Sequence, residues 1–197
     1  MGTGNPGKHP RKNGRKGRML LSFDDGLAEC RQIVAPLLLE KGIPAVFFLN
    51  NDFLGNRTMF YRYKSSLLVN GMEANRARAS NLLKQREWTQ GSLRKLILQT
   101  RYADRQFLDE LASEMDLNFH SYLKDNPIYM TEKEVGELAD MGFALGAHSR
   151  DHREFFAMTA SEMEEEVATS ISSLRRDFRQ PDPGLPFPSA AMVFPTV

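Results

Sequence analysis

The 197-residue chain has one cysteine and no apolar run close to the length of a membrane-spanning helix. A lone cysteine, Cys30, excludes an internal disulfide framework and leaves the redox compartment open. A spanning helix needs about 20 apolar residues, so the sequence is not typical of an integral membrane protein. Hydrophobic residues make up 41% of the chain, which excludes disorder throughout and is sufficient for one domain with a core.

The formal net charge is only +1, but the charged residues are unevenly distributed. Residues 1–18 hold six of the 26 basic residues and no acidic one, which leaves 20 basic against 25 acidic residues elsewhere. Glycine, proline, lysine and arginine without apolar periodicity predict a disordered basic tail. The tail lacks the apolar stretch of a secretory signal, so the sequence assigns no compartment. A nucleic-acid-binding arm is the alternative interpretation, but such tails bind phosphate with little specificity, and we expect no nucleic-acid partner.

The segment that follows the tail has a strand–helix–strand pattern. Residues 19–23 form a short apolar run that ends at Asp-Asp-Gly, which predicts a buried strand meeting a turn. Residues 27–41 have helical apolar spacing and a glycine stop, with Pro36 expected to bend or interrupt the helix. Residues 45–49 are apolar throughout and predict a second buried strand. Together they predict a βαβ unit with parallel pairing and a right-handed crossover.

The later part of the chain repeats this alternation. Thr131 and Glu134 have the spacing of a capping box and predict a helix to about residue 141. A third strand is predicted at 143–147, and a second capping signal, Thr159 with Glu162, predicts another helix. Alternating strands and helices are typical of either an α/β barrel or a doubly wound sheet.

Residues 55–128 interrupt the alternation and are predicted to form a helical insertion that caps one end of the barrel. Two segments have the clearest helical pattern, 93–100 and 105–115. Five residues of the insertion are predicted to pack in its interior: Tyr61, Phe107, Leu108, Leu111 and Met115.

Two polar clusters directly follow predicted strands. Residues 22–26 (Ser-Phe-Asp-Asp-Gly) end the first strand, and residues 148–152 (His-Ser-Arg-Asp-His) follow the third. Active sites of parallel α/β folds gather at the carboxyl ends of the strands, so we expect these distant segments to converge. Each cluster alone is more typical of a turn or a surface feature than of a site. Their occurrence at equivalent strand ends favours a shared site.

The residue types in these clusters suit a catalytic divalent metal. Two histidines at i and i+4, here His148 and His152, can face one point on a helical turn or a folded loop. One carboxylate added to them gives a His2Asp set with an open position for water. Of Asp24 and Asp25, one can bind the metal while the other takes the proton from the metal-bound water.

On these residues the sequence resembles the polysaccharide deacetylase family, the NodB-homology carbohydrate esterases of family 4. Residues 22–26 match the family motif [ST]-F-D-D-G, and residues 148–152 match H-[ST]-x-x-H. The resemblance extends over 19–54 and 128–178 and covers the insertion only loosely.

The resemblance implies a partial deformed (β/α) barrel with a helical insertion, and metal-dependent hydrolysis of N- or O-acetyl groups on carbohydrate. Carried over by position, Asp24 would be the catalytic base for attack by the metal-bound water. Asp25, His148 and His152 would bind the metal, with Zn²⁺ as the expected ion and Co²⁺ as another that such ligands accept. The expected partner is an acetylated carbohydrate substrate, and secretion is usual for the family.

The resemblance ends after residue 178. The third family motif is matched only weakly, by Phe194, Pro195 and Thr196 as substrate-binding candidates, or still more weakly at 179–181. The final Leu-x-His motif, which carries the general acid, has no counterpart because no histidine follows His152. General acids typically contribute about 10²- to 10⁴-fold to rate. We therefore expect a deacetylase domain of 19–197 without its C-terminal strands, or alternatively a catalytically defective relative that binds metal or carbohydrate.

Overall fold

Three parallel strands form the sheet of the computed structural model, which describes residues 20–74 and 76–178. They are β1 (Leu21–Phe23), β2 (Ala45–Leu49) and β3 (Ala144–Ala147). The predicted basic tail and the candidates Phe194, Pro195 and Thr196 lie outside the described residues.

The order of the sheet is β1-β2-β3, so strands that follow one another in the chain are neighbours. Leu21 pairs with Ala45, and Val46 pairs with Ala144, both in parallel register. All five residues of β2 are buried, as expected for a central strand that is apolar on both faces. This arrangement confirms the α/β fold class and is the one that successive strands of a barrel adopt.

The helix between β1 and β2 is interrupted ahead of Pro36, as predicted. Cys30–Val34 form a turn of π-helix, and α1 (Ala35–Glu40) continues from it. The amide of Ala35 donates to the carbonyl of Cys30, five residues earlier. A proline ring clashes with the carbonyl four residues before it in a regular α-helix, and the wider π turn is a way to relieve such a clash.

Five α-helices lie within residues 55–128, the range predicted for the insertion. They are α2 (Tyr61–Ala74), α3 (Arg76–Gln85), α4 (Gln90–Gln99), α5 (Gln106–Glu114) and α6 (Phe119–Asp125). Helices α4 and α5 correspond to the two segments with the clearest pattern, whereas the other three were not predicted as separate elements. Polar residues interrupt the apolar spacing of α2 and α3, so tertiary packing decides their bounds.

The helices α2 to α6 share a hydrophobic core of their own. Of the five predicted packing residues, Tyr61, Leu108, Leu111 and Met115 are buried in it and Phe107 packs partly buried against it. A second core lies between the sheet and the helices α1, α7 (Glu132–Asp140) and α8 (Ala160–Asp177).

Both predicted capping boxes are present. The side chain of Thr131 accepts the backbone N–H of Glu134, and the Glu134 carboxylate accepts the N–H of Thr131 at the start of α7. Thr159 and Glu162 make the same reciprocal pair at the start of α8. No helix in the ranges 20–74 and 76–178 is long and apolar enough to cross a bilayer.

Backbone hydrogen bonds join the first polar motif to the end of the helical segment, which is the insertion of residues 55–128. Ala28 donates to the carbonyl of Ile128 at 2.8 Å, and Met130 donates to the carbonyl of Gly26 at 2.9 Å. Gly26 has a φ of +67°, and an added Cβ would lie 3.3 Å from a methyl carbon of Leu49. A glycine therefore allows both the left-handed turn and the close approach of β2.

Candidate metal centre

Each of the three parallel strands ends directly before a polar residue. Asp24 follows β1, Asn50 follows β2 and His148 follows β3. Because the strands are parallel and adjacent, these three positions lie at one edge of the sheet. The edge therefore collects side chains from segments about a hundred residues apart.

Three side chains of the two motifs converge at this edge. Asp25, His148 and His152 each offer a ligand atom, and these atoms all lie within 4.8 Å of one another. Oδ1 of Asp25 is 3.7 Å from Nε2 of His148 and 3.4 Å from Nε2 of His152. The two imidazole rings are nearly perpendicular, with centroids 4.9 Å apart. Both nitrogens are thus directed at one carboxylate oxygen.

These distances fit a divalent ion with tetrahedral ligands. Bond lengths of about 2.0–2.2 Å to zinc place two ligand atoms of a tetrahedron about 3.3 Å apart. Oδ1 of Asp25 is also shielded from solvent and accepts no hydrogen bond within the described residues. Buried carboxylate oxygens are normally satisfied, so an orphaned one beside two imidazole nitrogens is consistent with a cation at this point.

The second motif is a folded loop rather than a helical turn. Ser149 is fully buried, and its hydroxyl oxygen accepts the backbone N–H of His152 at 3.0 Å. Ser149 and His152 both have left-handed backbone, with φ of 65° and 62°. Asp25 shares this conformation at 68°. Left-handed backbone costs a residue with a side chain about 1–2 kcal/mol, so the surrounding contacts must hold all three in place.

Asn50 forms hydrogen bonds to the backbone of this loop. It is fully buried, and its Nδ2 donates to the backbone carbonyl of His148. The same nitrogen lies 3.4 Å from the hydroxyl and 3.5 Å from the carbonyl oxygen of Ser149. One amide side chain at the end of β2 therefore fixes the turn that presents His148.

His152 is enclosed by the helical segment. The ring of Phe60 stacks on its imidazole, with centroids 4.4 Å apart and an interplanar angle of 27°. Burial lowers the pKa of His152 below its ordinary value, while the nearby Asp25 carboxylate opposes this effect. A lowered pKa favours the neutral imidazole, which is the form that binds metals.

Asp24, the expected base, is exposed next to Asp25 and is not one of the clustered ligand atoms. His120, in α6, is exposed and lies outside the cluster. Cys30 is buried, as predicted, and burial with nearby carboxylates raises the pKa of its thiol to about 11.

Two supports of the site were missed by sequence reasoning. Asn50 carried a usable signal, since it is a polar residue directly after a buried strand, as Asp24 and His148 are. Phe60 carried none, because an aromatic residue at the start of a helical segment is as typical of a core as of a site.

A comparison with protein-family models finds one family. The polysaccharide deacetylase family model matches residues 11–192. A search of curated protein sequences finds no significant match.

Two solved structures resemble this fold. One is the Streptococcus pyogenes deacetylase PplD in complex with acetate, at 11% identity and a TM-score of 0.41, covering 82% of this chain and 41% of PplD. The other is the BpsB deacetylase domain from Bordetella bronchiseptica, at 15% identity and a TM-score of 0.42, covering 82% and 54%. The chain thus spans about half the length of these structures.

The family match covers most of the chain, including both motifs and the helices between them. The two motifs that carry the sequence resemblance supply the clustered carboxylate and imidazoles at the sheet edge. This chain therefore belongs to the polysaccharide deacetylase family.

Proposed function

We propose that the protein removes acetyl groups from N- or O-acetylated carbohydrate with the help of a divalent metal ion. The observation that carries this proposal is the convergence of Asp25, His148 and His152 within 4.8 Å at the carboxyl edge of the sheet. Family membership supports the substrate class. Zinc is the first choice, because two imidazoles and one carboxylate are a common catalytic zinc set that leaves a position open.

The ion would be held by Oδ1 of Asp25 and by the Nε2 atoms of the two histidines. Once bound, it supplies Lewis acidity, which makes water easier to deprotonate and an acetyl carbonyl easier to attack. Asp25 would neutralise part of the ion's charge, and the imidazole of His148 is buried. Asp24, the residue before Asp25, is exposed.

Asp24 is proposed as the base. Its side chain is exposed directly after β1, beside the carboxylate that would hold the ion. From there it can accept a proton from an attacking water while Asp25 stays committed to the metal. Two adjacent carboxylates with different surroundings can in this way have different roles.

The first experiment measures metal content. We expect one zinc per folded chain, and none in the His148→Ala/His152→Ala double variant. His120→Ala is the matched control, because it removes an exposed histidine outside the cluster and should leave the stoichiometry at one. A folded wild-type chain that binds no divalent metal would refute the metal centre.

The second experiment separates an enzyme from a binder. Acetate release from acetylated amino-sugar oligomers should require the metal and should fall by about 10²- to 10⁴-fold in Asp24→Asn, which keeps all three ligands. Equal zinc content in Asp24→Asn and wild type would show that the loss is one of proton transfer. Zinc binding without acetate release in the wild type would favour the alternative, a relative that binds metal or carbohydrate without turnover.

A further inference from the structure

The loop that carries His152 makes side-chain contacts with the helical segment. Three of its residues make such contacts: Asp151 accepts the hydroxyl of Tyr102, His152 stacks on Phe60, and Glu154 accepts the hydroxyl of Tyr61. His152 is therefore flanked on both sides along the chain by carboxylates that bind tyrosines of that segment.

Glu154 is the most enclosed of these groups. Its side chain is only 6% exposed, yet it is a carboxylate. Tyr61 Oη donates to Oε1 at 2.5 Å, and the backbone N–H of Tyr102 donates to Oε2 at 3.3 Å. A guanidinium nitrogen of Arg62 lies 3.6 Å from Oε1. Buried carboxylates are normally paired or hydrogen-bonded: Oε1 of Glu154 has both a hydrogen bond and a nearby guanidinium, and Oε2 has a hydrogen bond.

The start of α2 links Glu154 to the imidazole of His152. Phe60 and Tyr61 are consecutive: the first stacks on His152, and the second binds Glu154, two residues further on. Phe60 is itself anchored, because its backbone N–H donates to the hydroxyl of Tyr129 at 3.1 Å. Residues 152–154 therefore contact the helical segment at two consecutive residues, Phe60 and Tyr61.

We infer that Glu154 is a positioning residue, which through Tyr61 aligns His152 and so makes metal affinity depend on the helical segment. The metal part of this inference rests on the proposed function. His152 has left-handed backbone, a conformation that a residue with a side chain disfavours, so contacts from its neighbours must hold the loop at this position. Its direction toward Asp25 is set by its neighbours, and Glu154 is the buried polar anchor among them. Burial and the bond to Glu154 raise the pKa of Tyr61, so its hydroxyl remains a donor at neutral pH.

The size of the effect follows from outer contacts of metal ligands in general, whose loss typically costs about 10- to 100-fold in metal affinity. Tyr61→Phe removes only the hydroxyl and keeps the ring that packs on Phe60 and Tyr102. We expect a loss of about tenfold. Tyr63→Phe is the matched control, because it removes a phenol hydroxyl from the same helix whose partner is Tyr122 instead of Glu154.

The test is a Co²⁺ and Zn²⁺ titration of the full chain and its variants, with the visible Co²⁺ spectrum as a report on ligand geometry. Tyr61→Phe should bind about tenfold more weakly with an altered spectrum, and Tyr63→Phe should match the wild type. Glu154→Gln keeps an acceptor oxygen for Tyr61 and should retain more affinity than Glu154→Ala. Circular dichroism checks that each variant is folded. If Glu154→Ala does not fold, Tyr61→Phe decides.

A second measurement needs no metal. NMR signals of the His152 ring at fixed pH report its stacking on Phe60, and they should shift in Tyr61→Phe but not in Tyr63→Phe. Unchanged affinity, spectrum and ring signals in folded Tyr61→Phe would overturn the inference. If the wild type binds no metal but the His152 signals still differ between the wild type and Tyr61→Phe, the positioning role is supported and the metal centre is refuted.

Discussion

Replacing Asn50 with alanine should both destabilise the chain and weaken its affinity for a divalent metal. Asn50 is fully buried, and its Nδ2 is the donor to the carbonyl of His148. Without that donor, a buried carbonyl in the turn between His148 and Ser149 loses its partner. The turn has left-handed backbone at Ser149, so it relies on such contacts to keep its shape.

The expected loss of unfolding free energy is about 2 kcal/mol. Leaving a buried carbonyl without its donor costs about 1–3 kcal/mol. Part of this is offset, because Oδ1 of Asn50 is itself buried without a hydrogen-bond partner among the described residues, and alanine removes that atom. Because His148 would be less well oriented, metal affinity should fall by about tenfold.

Urea unfolding in the presence of a chelator measures the first effect. With an m-value of about 2 kcal/mol/M, the midpoint should move down by about 1 M. A competition titration with Zn²⁺ measures the second effect. Asn50→Asp keeps the shape but places carboxylate oxygens against the His148 carbonyl, so it should be at least as destabilising as alanine.

Asn51→Ala is the matched control. Its Oδ1 accepts the hydroxyl of Ser170 on α8 at 2.7 Å, so its loss should lower stability by about 1 kcal/mol and leave metal affinity unchanged. If Asn50→Ala unfolded at the wild-type urea concentration and bound zinc as tightly as the wild type, the argument that Asn50 holds the histidine turn would be wrong.

Three further outcomes are expected. Gly26→Ala should lower the unfolding free energy by at least about 1–2 kcal/mol in urea titrations, because φ is +67° and the new Cβ would press on Leu49; an unchanged midpoint would contradict this. Cys30 should react with a thiol-specific reagent at pH 8 only as the chain unfolds. Its pKa of about 11, against an ordinary value of 9.0, leaves about a hundredfold fewer thiolates than in a free cysteine, and rapid labelling of the folded chain would refute its burial. Thr159→Ala should lower the thermal midpoint, because the lost helix cap contributes about 1 kcal/mol. Ser172→Ala within the same helix should have little effect. Equal shifts in the two variants would show that the cap does not stabilise α8.

Elements set by neighbouring residues were predictable from the sequence. The buried run of β2, the two capping boxes and the helix interruption ahead of Pro36 all depend on residues within one or two turns of one another. The bounds of α2 and α3 were not predictable in this way. Their polar residues weaken the helical pattern, and packing against the rest of the helical segment decides where they begin and end.

The candidate site divides in the same way. The location of Asp24, Asp25, His148 and His152 at one edge of the sheet was predictable, since each lies in a short motif at the end of a parallel strand. Their roles stay predictions. The supports of those residues were decided by tertiary contacts. The bond from Asn50 to His148 joins residues 98 positions apart, and the bond from Tyr61 to Glu154 joins residues 93 apart. No local pattern encodes such pairs, because a buried amide or carboxylate finds its partner only after strands and helices have packed together.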